Sequence, residues 1–413
     1  MTHIFKKLTP VEEALATYLA YLHPTSPEET ALSDARGRVL AEDVTSPMDI
    51  PPFHRAAFDG YAVRSSDTFG ASASNPAVLK IVGKLRPGDE IELSIGEGEA
   101  VEIATGAYLP EGADAIVPLE FSKRSGDHVE IIKQVPPGAN VDRKGSDVSR
   151  GDIVLRRGTV IGPFEMLLLA SLNIARVRVF RKPVVSIIST GSELVELGSP
   201  LSKGKIVNSN RYALESLISD LAVPQYLGIA RDDEKILGEM VERGMDGDLI
   251  VTIAGTSVGE RDLVPKIVRS LGGEIVVHGL SIMPGKPTLL ALIDGTPLIG
   301  LPGSPVAAMV AAIEVLLPVL ARLSGVDGAF QWPRVRARLD RRIASRPGVR
   351  HYVRVKLRRR DGILLATPVR VSGSGIISSL TQADGFVVVP EDVEGYEAGS
   401  EVDVLVYRRW LKL

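Results

Sequence analysis

The sharpest chemistry-bearing segment is VVSIISTGSEL, in which an unbroken apolar run delivers Thr190, Gly191, Ser192 and Glu193 in succession. Two hydroxyls, free backbone N–H groups and a carboxylate at the end of a buried strand make a grip for a polar or phosphorylated ligand. The same residues also suit a plain strand-to-helix turn with Glu193 in solvent. A second apolar run, LIVTIA, ends alike in AGTSVGERD, placing Gly255, Thr256, Ser257 and Gly259 just ahead of Glu260 and Asp262. A glycine-rich loop feeding a helix start suits an anion, because unpaired amides and the helix dipole both favour negative charge. Glu193, Asp232, Asp233, Glu260 and Asp262 all fall near predicted strand ends or helix starts. Hard oxygen ligands so placed could hold Mg²⁺ against a phosphate, although acidic residues are also ordinary in the first turn of a helix.

Other segments are weaker alone. Lys286 lies in MPGKP, which misses the phosphate-loop pattern because five residues separate Gly279 from Gly285 and Pro287 stands where a metal-binding hydroxyl belongs. In LPGSP, Gly303 and Ser304 precede Pro305 at the start of a long helix; this is an anion-binding start or, as the favoured reading, a cap supplied by Ser304. PPFHRAAFDGYAV gathers His54, Arg55, Asp59 and Tyr61 about a tight turn, and Thr105 with Gly106 sits in another turn-rich stretch. SGSG, from Ser372 to Gly375, is too short for a dinucleotide fingerprint. The 6 histidines include no pair at helical metal-ligand spacing. With no cysteine, thiolate nucleophiles, disulfides, cysteine-ligated zinc and iron–sulfur clusters are excluded.

The elements that must position these residues follow from the apolar rhythm. Thr9-Pro10 before VEEALATYLAYL predicts a helix with Thr9 as N-cap and acidic residues in its first turn. From about Asp49 to Asn140 short strand-like runs alternate with Gly, Pro and Asp turns, and PFEMLLLASLNI from Pro163 returns to helix. That order predicts a β-rich insertion within a discontinuous domain. From Pro183 onward apolar runs alternate with amphipathic helices, the mark of a parallel sheet covered on both faces, whose ligands bind at the carboxyl ends of its strands. Beyond Gln331 strands predominate, predicting a closed or sandwiched β-domain.

Composition narrows the class of partner. The 413 residues allow about two to four domains. A net charge of −3 leaves no global field for nucleic acid or an acidic membrane. MTHIFKKLTPVEEAL lacks the apolar stretch of a secretory signal, so a cytoplasmic location is expected. Pro305–Leu323 approaches membrane-span length but carries Glu314, Pro318 and Arg322, which predicts a buried helix instead.

In order along the chain, FDGYAV, ATGAYLPEGADAIV, GSDVSRGD, STGSEL, NSNRYAL, RDD, AGTSVGERD, MPGKP and LPGSP together resemble the molybdopterin molybdenumtransferases of the MoeA type, the family that includes the E domain of gephyrin. The resemblance spans nearly the whole chain. It implies a multidomain α/β plus β fold: a discontinuous N-terminal linker domain (1–45 and 141–179), an inserted β-rich domain (46–140), a doubly wound α/β molybdopterin-binding domain (180–328) and a C-terminal barrel-like β-domain (331–413). The implied reaction inserts molybdate, or tungstate, into adenylylated molybdopterin and releases AMP with Mg²⁺ assisting. A homodimer is implied, in which the inserted domain closes over the site of the partner subunit, with a molybdopterin adenylyltransferase and apo-molybdoenzymes as further partners.

Carried over residue by residue, the resemblance gives catalytic roles to Asp59, Thr105, Glu193, Asp232 and Asp262, with Glu193, Asp232 and Asp262 as metal ligands. Thr190, Gly191, Ser192, Gly255, Ser257, Gly259, Lys286, Pro287, Gly303 and Ser304 match substrate-binding positions, and Arg354 and Ser374 fall at the molybdate pocket. Met283 stands where many relatives carry a lysine, so weaker molybdate binding or a tungstate preference is expected; Phe58, Ala254 and Ser304 are milder departures. Two other functions fit parts of the chain: a non-catalytic molybdopterin-binding or scaffold relative, and an unrelated nucleotide or sugar-phosphate enzyme. The density of carboxylates around an anionic ligand speaks against the first, and the full-length motif order against the second.

Overall fold

In the computed structural model the described residues are 8–256, 263–328, 332–370 and 373–407. Segments on either side of the insertion meet in space: Pro27–Ala31 pairs antiparallel with Arg176–Phe180, and Val44–Thr45 pairs with Ile153–Leu155. Leu40, Ile161, Leu169, Val177 and Val179 bury a small core between them. Between these halves stands a six-stranded sheet ordered Ala115–Pro118, Gly60–Val63, Glu99–Ile103, Ala77–Leu85, His128–Ile131 and Ser122–Ser125. Gly60 is required there, because a Cβ at that position would come within 2.0 Å of the Val117 carbonyl oxygen.

The α/β domain is built on a second six-stranded sheet, ordered Val223–Ala230, Val184–Thr190, Leu249–Ile253, Thr296–Leu301, Leu289–Ile293 and Glu274–His278. Its first four strands are parallel, as the continuous apolar runs predict. The sheet is not wholly parallel, however. Leu289–Ile293 runs antiparallel to both neighbours, because Asp294 and Gly295, both at positive φ, make a two-residue hairpin loop into Thr296–Leu301. Helices cover both faces. Ser209–Ile218 and the continuous Pro305–Leu323 join one core with Val185, Ile187 and Val251, while Glu234–Gly244 and Val264–Ser270 pack on the other side against Ile188 and Ile250. Asp233 caps the helix Glu234–Gly244 by accepting from Lys235 and Ile236 N–H at 2.9 and 3.1 Å, a structural use of a carboxylate that the sequence left open. Pro305–Leu323 is long and apolar enough to cross a membrane, yet 78% of its most apolar window is buried within the fold.

The N-terminal helix Val11–Leu19 shares the first of these cores through Val11, Ala14 and Tyr18. Thr9 does not cap it. Its backbone is committed instead to a bridge beside the α/β sheet, donating to Gly279 O at 3.1 Å and accepting from Ser281 N at 2.9 Å.

The last domain is a closed five-stranded barrel. Arg350–Arg360 bonds both Ile363–Arg370 and Gly385–Val389, and Arg334–Leu339 with Glu401–Val406 completes the ring. Leu339, Val353, Val355, Leu357, Val387 and Val404 fill it. Ile282–Met283 of the α/β domain adds alongside Arg350–Arg360, so Met283 sits opposite His351. That pairing fixes the barrel against the α/β sheet.

Candidate functional site

The carboxyl ends of the four parallel strands gather the chemistry. Thr190 is buried, and its hydroxyl donates to Ile253 O at 3.2 Å, tying two strand ends together. Gly191 follows at φ +141°, a backbone conformation that L side chains rarely adopt, so the turn that aims Glu193 needs glycine. Ser192 and Asp232 face each other across the ends of adjacent strands and exchange hydrogen bonds.

Thr190, Gly191, Glu193, Asp232 and Gly255 line a cavity of about 240 Å³. Among the described residues no cluster of three or more metal-ligating side chains is present. Glu193 and Asp232 nevertheless share one cavity, and a pair of carboxylates beside hydroxyls suits Mg²⁺, which takes one or two protein carboxylates plus phosphate oxygens. Ser257, Gly259, Glu260 and Asp262 lie outside the described residues.

A second cavity, of about 600 Å³, adjoins the first, Thr190, Glu193 and Ala254 lining both. Gly303 and Ser304 form part of its wall. The Ser304 side chain makes no cap hydrogen bond; the Val306 N–H at that helix start is taken instead by the Ser374 carbonyl at 3.0 Å, which leaves the Ser304 hydroxyl for the cavity.

Asn208 and Asn210, which motif reading alone did not single out as site residues, also line this cavity. Asn208 is buried, its amide donating to the Tyr226 hydroxyl at 2.9 Å and accepting from Ser189 Oγ at 3.1 Å; Asn210 donates to Gly303 O at 2.8 Å. Tyr226 in turn donates to Glu196 at 2.7 Å, and burial together with that carboxylate pushes its hydroxyl up to about 12. Lys205, also missed, sends its ammonium to the Ser192 carbonyl. In the sequence the asparagines belong to the motif NSNRYAL, but their place at a helix start makes a cap the ordinary explanation for them.

A third cavity, of about 550 Å³, lies where the barrel meets the α/β domain and is lined by Met283, Pro284, Ser345, Arg346, His351, Arg354 and Ser374 among others. Arg354 is buried at 1% exposure, and its Nη1 donates to Gly373 O and Ser379 Oγ, each at 3.0 Å. Lys286 and Pro287 lie in the turn that leads into Leu289–Ile293; Lys286 is exposed at its tip and its carbonyl accepts from Leu280 N at 2.9 Å. The loop Gly373–Ile377 contributes to the walls of both cavities, Gly373 and Ser374 to this one and Gly375 and Ile377 to the second, so the two lie on either side of one loop.

Asp59 and Thr105 line none of these three cavities. They form a clasp on the inserted domain, Asp59 Oδ1 accepting from both the backbone N–H and the hydroxyl of Thr105 at 2.7 Å. Those two hydrogen bonds, the backbone one foremost, hold the Asp59 carboxyl below its ordinary range and keep it anionic.

Comparison with known proteins identifies this arrangement. Residues 9–173 match the model "MoeA N-terminal region (domain I and II)", 186–322 match "Probable molybdopterin binding domain" and 336–407 match "MoeA C-terminal region (domain IV)". The molybdopterin molybdenumtransferase of Bacillus subtilis is 34% identical over 405 residues, covering 97% of this chain and 94% of the relative. The chain belongs to the MoeA family. A second relative of this MoeA chain, the molybdopterin molybdenumtransferase of Staphylococcus aureus, is 30% identical over 96% of the chain and 95% of its own length. Crystal structures of molybdopterin biosynthesis MoeA proteins from Pyrococcus horikoshii superpose with TM-scores of 0.82 and 0.84 at 38% and 34% identity, covering 98% and 97% of this chain and 100% of each of theirs. This MoeA protein therefore acts in molybdenum cofactor biosynthesis.

Proposed function

We propose that this MoeA-family protein takes adenylylated molybdopterin and molybdate, or tungstate, binds the metal at the dithiolene and releases AMP with Mg²⁺ assisting. The observation that carries the reading is the succession of three neighbouring cavities, the first two sharing Thr190 and Glu193 and the second and third lying on either side of the loop Gly373–Ile377. The roomiest of the three is walled by Leu194, Ile206, Ile253 and Ile377 with Asn208 and Asn210 between them, a composition suited to a pterin. The carboxylate end suits the phosphate and its cation, and the arginine end suits a small oxyanion. When bound, Mg²⁺ would supply charge neutralisation at the phosphate, held by Glu193 and Asp232, with Asp262 as a third candidate ligand. Gly191 and Ser192 orient those carboxylates, and Arg354 offers a fixed cationic donor.

The same reading makes the protein a homodimer. Asp59 and Thr105 belong to the substrate site only if they reach that of the partner subunit, and the helix Pro163–Ser171 leaves Phe164 and Leu167 exposed at 79% and 66%, an apolar face available for association. A molybdopterin adenylyltransferase supplying the substrate and apo-molybdoenzymes accepting the product complete the proposal, in a cytoplasmic setting. Its test is AMP release from adenylylated molybdopterin with molybdate, tungstate or no oxyanion, using Glu193→Gln as control. Oxyanion-dependent release that falls in the variant supports the transferase; tight binding without release under any condition supports a non-catalytic binder instead.

A further inference from the structure

Among the described residues, the cavity at the barrel contact is lined by Arg346, His351 and Arg354 and by no aspartate or glutamate. Arg354 is fixed and buried, but a small dianion held by one guanidinium keeps an uncompensated charge. Position 283, the neighbouring wall, offers only a thioether.

Four arginines, Arg341, Arg342, Arg346 and Arg350, lie on the segment that enters the long barrel strand, and of these Arg346 lines the cavity. Arg342 bonds Glu397 at 3.1 Å, and Arg350 bonds Glu391 at 3.2 Å and also reaches Glu12. Arg346 forms no ion pair among the described residues, yet it lines the cavity. Its backbone is held on both sides, Ser345 N–H donating to Glu394 O and Gly348 N–H to Glu391 O, each at 2.7 Å, and Pro347 stiffens the turn. An arginine without a carboxylate, anchored at the mouth of a cavity that already holds a buried arginine, is suited to a ligand that brings its own negative charge.

We propose that Arg346 is the second cationic ligand of the oxyanion pocket, supplying from the barrel the charge that Met283 does not supply from the α/β domain. The proposal rests on the reading of this pocket as the oxyanion site. Binding of molybdate, tungstate and sulfate to the full-length protein is measured by isothermal titration calorimetry, with Arg346→Gln, Arg346→Lys and the double variant Arg346→Gln/Met283→Lys. The expected result is molybdate binding by the unaltered protein, weakened at least about tenfold in Arg346→Gln, the size of losing one hydrogen bond to a charged group. Arg346→Lys should retain most of the affinity, and the double variant should regain it, because a lysine at 283 faces the same cavity. Unchanged affinity in Arg346→Gln would overturn the inference while leaving the pocket intact. Failure of the unaltered protein to bind any of the three anions would overturn the inference and the pocket reading together.

Discussion

Ser192 and Asp232 hydrogen-bond each other in both directions: the Asp232 N–H donates to Ser192 Oγ at 3.1 Å, and the Ser192 N–H donates to Asp232 Oδ2 at 3.4 Å. The exchange locks the ends of two parallel strands and turns the Asp232 carboxylate toward the cavity that Glu193 also lines. Asp232→Asn keeps an acceptor for Ser192 and removes only the charge. It should leave thermal stability nearly unchanged while lowering Mg²⁺-dependent AMP release by about 10- to 100-fold and raising the Mg²⁺ needed for half-maximal rate. Steady-state rates across a Mg²⁺ series check this, and a loss of stability equal to the loss of rate would point to a purely structural Asp232.

Ala254 sits at φ +74°, a left-handed conformation that its Cβ disfavours, at the strand end where the first two cavities join. Ala254→Gly should therefore stabilise the fold by about 1 kcal/mol, the lower end of the usual strain for such a residue. Equilibrium urea denaturation measures it, and an unchanged or lower midpoint would show that the conformation carries no strain.

How much of this was legible in the sequence depended on whether a local signal matched the tertiary role. The runs ending in Thr190 and Ile253 read correctly because buried parallel strands are apolar throughout. The strand Val223–Ala230 contains Pro224 and Gly228, which read as breakers; it survives because it lies at the edge of its sheet, where a missing donor costs little. The hairpin Leu289–Ile293 to Thr296–Leu301 turns on Asp294-Gly295 inside one apolar stretch, which reads equally as strands of a parallel sheet. At the site, Thr190, Glu193 and Asp232 converge as the strand-end rule requires, whereas Asn208 and Arg346 lie in sequence contexts that also describe a helix cap and a solvated loop. Neither role is visible until the barrel and the sheet are placed side by side.

If the inserted domain serves the site of the partner subunit, Asp59→Asn and Glu193→Gln should complement. Each variant alone should be inactive, and the co-expressed mixture should regain about one quarter of the unaltered rate, because about half the dimers are mixed and each mixed dimer keeps one of its two sites complete. Absence of recovery in purified heterodimers would contradict a shared site.

Glu314 lies on the long helix beside Tyr352 of the barrel, and burial raises its carboxyl above the ordinary value against the opposing pull of Tyr352 and Arg350. A carboxyl whose folded pKa is raised stabilises the fold fully below its unfolded value, about 4, and loses that contribution as pH rises through the folded value. Glu314→Gln does not titrate. The difference in thermal midpoint, unaltered minus variant, should therefore fall as pH rises from about 4 through that window and level off above it. A difference that rises over the same window would contradict the burial account of Glu314.

The most direct measurement is the stoichiometry of a single turnover, counting AMP released and metal retained at the dithiolene when the protein holds adenylylated molybdopterin and receives molybdate with Mg²⁺. If the three neighbouring cavities work as one site, the two should appear one for one, and Arg354→Gln should depress both together. Equal AMP release with and without oxyanion, or metal retained without AMP release, would contradict that claim.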